Sequence, residues 1–184
     1  DIWNSPILKQ HFLNDCKFVC DCTTIVDDLN TLKYDNLIFE NGQGLLLSDT
    51  GEDRYDKTPS DTGINYSLEI LKTLKENNID VTAHYVTRPY LTRHGDGLIN
   101  NTNGVNKSLI SNAIESDRTN HYNEFQGEFR YDVLDIQELS NRIQRNSKNV
   151  KFIVELTHCD EMDREKEFKR NFKNVNTYDT AIIK

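Results

Sequence analysis

The chain has 184 residues, with 22 Lys and Arg against 30 Asp and Glu, a net charge of −8 and a hydrophobic fraction of 36%. That length fits one domain or a large piece of a bigger protein, and eight Tyr, eight Phe and one Trp give enough apolar bulk for a core, which excludes a wholly disordered chain. The acidic balance argues against a general nucleic-acid binder, and no stretch approaches the roughly 20 apolar residues that a membrane-spanning helix needs. The expectation is a soluble, cytoplasmic protein with no nucleic-acid or membrane partner, residues 1–184 forming a single domain. The chain opens at Asp1, its one methionine is Met162 and no signal-peptide pattern is present, so a processed, trimmed or partial chain is expected.

From Pro6 to Leu32 the residues Leu8, Phe12, Cys16, Val19, Val26 and Leu29 recur mostly at three- and four-residue spacing, which predicts an amphipathic helix. Cys16, Cys20 and Cys22 read C-x3-C-x-C on it, with Cys159 far downstream. Structural zinc sites use tighter C-x2-C pairs, so reduced, buried cysteines are expected. Leu37-Ile38-Phe39 reads as a short buried strand closed by Asn41-Gly42-Gln43-Gly44, and Leu45 to Gly63 as a long loop. Asn65 to Asn78 is a predicted helix, and Val81 to Thr87 a β-branched strand. Arg88 to Asn106 is sparse in apolar residues and reads as a second long loop, followed by a short helix over Lys107 to Glu115. Asp135 and Glu138 form a D-x-x-E helix start, Val150 to Leu156 a strand, Asp163 to Phe172 a charged helix and Thr180 to Ile183 a last strand. Strands alternating with helices predict an α/β fold with a mostly parallel sheet flanked by helices.

In such sheets ligands sit beyond the carboxyl ends of the strands. Phe39 to Gly44 offers two glycines and the amide of Gln43, which can donate and accept against a nucleobase edge; a plain strand-to-loop turn is the other reading. Tyr90 to Gly97 combines the Arg93 charge, a hydroxyl and two glycines, fit for a phosphate or carboxylate or for an exposed turn. Leu156-Thr157-His158-Cys159-Asp160 puts a carboxylate at a strand exit. That carboxylate either accepts the two parallel donors of guanine or caps the next helix. His94 and His158 invite a general-base role, but neither has a nucleophile near it in sequence, and no Walker A, H-E-x-x-H or G-x-S-x-G pattern occurs.

Read in order, these segments resemble adenylosuccinate synthetase. The family's F-E-G-A-Q-G-T-L-L is similar to Phe39-Glu40-Asn41-Gly42-Gln43-Gly44-Leu45-Leu46-Leu47, and its V-T-S-S-N to Lys57-Thr58-Pro59-Ser60-Asp61. Its Y-x-T-R-V-G-x-G is similar to Tyr90 through Gly97, N-E-F with a later L-D to Asn123-Glu124-Phe125 and Leu134-Asp135, and L-T-K-L-D to Leu156 through Asp160. The resemblance implies the C-terminal part of a fold related to P-loop NTPases. Its chemistry would use GTP and Mg²⁺ to phosphorylate the 6-oxygen of IMP, which the aspartate amine then displaces. By position, Gln43 would bind the purine, Thr58 the IMP 5′-phosphate, and Arg93 with His94 the ribose. Arg130 would serve the aspartate carboxylates, and Asp160 with Thr157 the guanine of GTP. The family's sites are completed across a homodimer.

The family's opening G-D-E-G-K-G-K loop, with its catalytic aspartate and phosphate cradle, is not in this chain, so no catalytic residue is expected here, and GTP phosphates and Mg²⁺ would be held mostly elsewhere. Four consecutive arginines of the family are reduced to Gln126-Gly127-Glu128-Phe129-Arg130. The added carboxylate would repel a dicarboxylate amine donor. A ligase portion is thus weighed against a non-catalytic purine-nucleotide-binding module, and against a divergent ligase using another amine donor or purine.

Overall fold

The computed structural model describes residues 4–31, 33–48, 57–75, 78–95, 99, 122, 124–125, 127 and 129–179. The predicted helix over Lys107 to Glu115 and the predicted strand over Thr180 to Ile183 lie outside them. The chain divides into two units, Asp1–Ile38 and Phe39–Lys184.

In the first unit, helix α1 spans Pro6–Cys22 and begins with proline at its first turn, where the missing N–H costs nothing. It stops ten residues short of the Leu32 that the apolar spacing predicts. The Thr23 hydroxyl donates to the Val19 carbonyl at 2.6 Å, and the β-branched run from Thr23 to Val26 disfavours further turns. Asp28 then accepts from the Asn30 N–H at 2.9 Å and folds Leu29–Thr31 into one 3₁₀ turn. Helix α1 buries no residue, and Cys16, Cys20 and Cys22 are exposed, free thiols, against the expectation of burial.

The second unit is α/β. Helix α2 covers Asn65–Leu71, strand β1 Thr82–Thr87, β2 Tyr90–His94, β3 Phe129–Val133, helix α3 Ile136–Ser147, β4 Lys151–Leu156, helix α4 Glu165–Asn171 and β5 Val175–Thr177. Strands β1, β4 and β5 form a parallel sheet in that order, with Tyr85 opposite Val154 and Glu155 opposite Asn176. Strands β2 and β3 form a separate antiparallel pair.

The core lies between that parallel sheet and the two helices that return its strands. Period-two alternation turns Val154 and Leu156 of β4 inward. There they meet Ile136 and Ile143 of α3 and Phe168 and Phe172 at the end of α4, all nearly or fully buried. Helix α3 buries Ile136, Ser140, Ile143 and Ser147 at four-, three- and four-residue steps. Its start is set as expected, the Asp135 carboxylate accepting from the Glu138 N–H at 3.0 Å. The Glu138 side chain turns forward to pair with Arg142 rather than back to the cap. Lys148 and Asn149 adopt positive φ and end the helix.

Three further expectations are corrected. Leu37-Ile38-Phe39 is not a strand: no described strand pairs with it, and Ile38 is 88% exposed. Apolar β-formers need a neighbour to make a ladder. Helix α2 ends at Leu71, where Thr73 returns both its N–H and its hydroxyl to the Ile70 carbonyl and tightens the last turn. The segment after Arg88 is not all loop, since β2 begins at Tyr90. Pro89, fully buried, has no N–H to extend the β1 ladder, so the chain leaves one sheet and starts another.

Arg164, at the cap position of α4, holds these parts together. Its guanidinium donates to both carboxylate oxygens of Glu167 at 2.7 and 2.8 Å, to the Leu134 carbonyl at 2.8 Å and to the Pro89 carbonyl at 3.1 Å. Lysine cannot reproduce that fork. Arg164→Lys is expected to lower unfolding stability by about 1–3 kcal/mol, because two inward carbonyls lose charged donors. Urea unfolding followed by circular dichroism measures it, and an unchanged midpoint contradicts the clamp.

Candidate functional site

The carboxyl edge of the parallel sheet carries the first group of site residues. Leaving β4, Thr157 donates both its N–H (2.9 Å) and its hydroxyl (3.1 Å) to the Thr87 carbonyl at the end of β1. His158 takes a left-handed conformation, φ 59°. The next N–H, of Cys159, donates to the Tyr178 carbonyl at 3.0 Å, and the Tyr178 N–H to the Leu156 carbonyl at 2.8 Å. The Glu161 N–H closes a turn onto the His158 carbonyl at 3.2 Å. Asp160 lies inside this turn and is exposed, with Cys159 before it bonded to the segment after β5 and Glu161 after it closing onto His158. The helix-cap reading of Asp160 fails, since α4 starts only at Glu165 with Arg164 as its cap residue. Cys159 is half-buried; its thiol donates to the Leu156 carbonyl, and burial pushes its pKa up.

A buried tyrosine braces the same turn. The Tyr90 hydroxyl donates to the Glu161 carboxylate, and the Tyr90 ring is 3% exposed. The Arg88 guanidinium lies 5.9 Å from that ring's centroid and the His158 ring meets it edge-on at 6.5 Å. Burial first, then the Glu161 carboxylate, raises the phenol pKa, so it stays a donor at neutral pH.

The second group is the hairpin. Register places Arg93 of β2 directly opposite Arg130 of β3, on one face. His94 is opposite Phe129, with ring centroids 4.9 Å apart. The register thus sets two guanidinium groups side by side on one face of the pair. Beyond the strands Gly95 and Gly127 have φ of 70° and 72°, the left-handed region that glycine enters without strain. Asp96, Gly97, Asn123, Gln126 and Glu128 lie outside the described residues.

The third group joins the Gln43 and Thr58 loops. The Thr58 N–H donates to the Leu47 carbonyl at 2.8 Å and the Lys57 ammonium to that of Leu46. The Thr62 hydroxyl donates to the Gly44 carbonyl at 3.0 Å, and the Asn41 amide to that of Gly63 at 2.9 Å. Gln43 is exposed on this stitched corner, and a methyl group at Gly42 or Gly44 would meet nothing within 4 Å. Asn146 near the end of α3 fixes the corner from behind: its Oδ1 accepts from the Ile64 N–H at 3.3 Å and from the Tyr85 hydroxyl at 2.8 Å. Burial raises the Tyr85 phenol to about 12. Gly63 packs so closely that a β-carbon there would sit 1.8 Å from the Asn146 amide.

Tyr90 with Glu161, and Gly63 with Asn146, escape sequence reasoning, because each pair is far apart in the chain. The one available hint is Tyr90 itself, since a buried phenol needs a partner. The outward face of the parallel sheet carries a further network. Glu155 accepts from Tyr178 at 3.0 Å and Asn176 at 3.2 Å, with His84 Nδ1 at 2.7 Å. Burial raises the Glu155 pKa, but these hydrogen bonds outweigh it and the net shift is downward.

Among the described residues no three His, Cys, Asp or Glu side chains could hold a metal ion, so the Mg²⁺ implied by the resemblance finds no fitting set there. No helix among the described residues is long and apolar enough to cross a membrane. Comparison with family models, characterised proteins and solved structures finds no match to this chain.

Gly63→Ala is expected to destabilise the protein by about 1–3 kcal/mol, because Asn146 must swing away and leave the Ile64 N–H and Tyr85 hydroxyl unpaired. In Asn146→Ala the same glycine substitution is expected to cost nearly nothing more; a double-mutant cycle by urea unfolding reads the coupling, and additive effects would refute it. A lowered folded pKa means that Glu155 contributes stability above its ordinary value of 4.5 and loses it as pH falls through the folded value. Glu155→Gln should therefore be less stable at pH 7, with the gap closing toward pH 3; parallel stability curves would contradict this.

Proposed function

We propose that this chain is the C-terminal, nucleotide-recognising portion of a GTP-dependent purine nucleotide ligase resembling adenylosuccinate synthetase. The observation that carries the reading is Asp160, an exposed carboxylate in a turn whose entrance is bonded to the carboxyl edge of a parallel sheet and whose exit is tied by Glu161 to Tyr90, at the edge where α/β folds bind ligands. A carboxylate held in this way accepts the N1–H and the exocyclic amine of guanine in parallel. The stitched corner supports a purine nucleotide such as IMP: Gln43 would meet the base edge and Thr58 the 5′-phosphate, while the open space at Gly42 and Gly44 admits a close approach. Arg93 and Arg130, opposed on the hairpin, suit an anionic substrate, with His94 and its ring partner beside the ribose. Thr157 would hold the turn for GTP. The phosphoryl-transfer groups would come from outside these residues, and two copies would complete the sites as a homodimer.

A non-catalytic purine-nucleotide-binding module is the second reading. It is favoured by Glu128, a carboxylate two residues before Arg130, the one remaining arginine of the segment, which would oppose a dicarboxylate donor.

Asp160→Ala is expected to weaken GDP binding by the full chain about 10- to 100-fold, the cost of hydrogen bonds to a charged acceptor, while ADP binding stays as it was. Titration calorimetry of both nucleotides tests it. Equal GDP affinity in the two proteins removes Asp160 from the base site.

A further inference from the structure

We infer that Tyr90 and Glu161 form a strut that positions Asp160, and thereby sets how well the site separates guanine from a purine lacking the 2-amino group. The inference rests on the reading of Asp160 as the carboxylate that meets the base. Glu161 follows Asp160 directly in the turn, and its carboxylate takes the hydroxyl of a tyrosine 71 residues away. The foot of the strut is fixed. Tyr90 is 3% exposed and packs with Phe129, Tyr131, Val133 and Met162, close packing that restrains its ring.

The turn needs such a hold. His158 sits at φ 59°, a conformation that a non-glycine residue keeps only where its surroundings determine it. Backbone hydrogen bonds tie the entrance of the turn to the sheet at Thr157 and Cys159, while at the exit the Glu161 and Met162 N–H groups bond only back to the His158 carbonyl within the turn. On its exit the Tyr90 hydroxyl reaches the residue that carries the chain away from Asp160. A bidentate contact depends on angle as well as distance, so a turn free to rotate at its exit would keep one hydrogen bond to the base and lose the second.

Hence Tyr90 and Glu161 are positioning residues, and a readout of discrimination separates them from merely structural ones. The probes are GDP and IDP, which differ by the 2-amino group, titrated into the full chain and its variants. Tyr90→Phe is expected to reduce the GDP-over-IDP preference about fivefold or more, with IDP affinity nearly unchanged. Glu161→Gln, whose amide oxygen still accepts from the phenol, should retain most of the preference, whereas Glu161→Ala should lose it. If Tyr90→Phe does not fold by circular dichroism, the two Glu161 variants decide the matter alone. A preference kept in Tyr90→Phe and Glu161→Ala but abolished in Asp160→Ala overturns the strut and leaves the base reading intact. A preference unaffected by Asp160→Ala, or no binding of either nucleotide, overturns both.

Discussion

The second unit depends on one guanidinium. Arg164 is nearly enclosed, its side chain 14% exposed, and a charge in that setting is tolerated only when its donors are matched. They are matched by the carboxylate of Glu167 in its own helix and by carbonyls from two other places, the turn between β1 and β2 and the corner between β3 and α3. Because Pro89 ends one ladder and Leu134 leads into α3, these two carbonyls are the points where the chain passes between the parallel sheet and the hairpin. Arg164 thus fixes the ends of the hairpin against the core, together with the Tyr90–Glu161 hydrogen bond and the packing of Leu91 and Met162. Hydrophobic contact alone would let the hairpin slide, since dispersion and burial have no direction.

Local signals were legible in the sequence and long-range ones were not. Helix α3 can be read from the Asp135 cap and the spacing of Ile136 and Ile143, and β4 from the apolar run between Lys151 and Leu156. The α/β layering follows from the order of such segments. Strand β2 is hidden because Tyr90 to His94 alternates weakly, follows a proline and pairs with residues 129–133. Leu37 to Phe39 errs the other way, with a strand's composition and no partner. Chain propensity sets what a segment tolerates; pairing decides what it becomes.

The candidate site divides along the same line. Gln43, Thr58, Arg93, His94, Arg130, Thr157 and Asp160 stand out one by one as loop and strand-end residues, and under the proposed reading they would share one purpose. Their grouping does not follow from spacing. That Arg93 should face Arg130, or that Gly44 should accept from Thr62, depends on register and on loops meeting across the fold. The supports are less legible still, since Asn146 and Tyr90 are recognisable only once their hydrogen-bond partners are known.

Under the proposed reading, the two charged features answer different physical demands. A net charge of −8 repels nucleotide phosphates at long range, but salt screens exposed charges beyond about 10 Å. Within that distance the pairing of β2 with β3, which sets Arg93 opposite Arg130, would bring two guanidinium groups to one anion. Strand positions suffice for this task, because charge attraction tolerates small displacements. Base discrimination does not: it compares one hydrogen bond with two, and the second is lost with a small rotation. This explains why the carboxylate, rather than the arginines, sits in a turn tied to β1, to the segment after β5 and to the foot of β2.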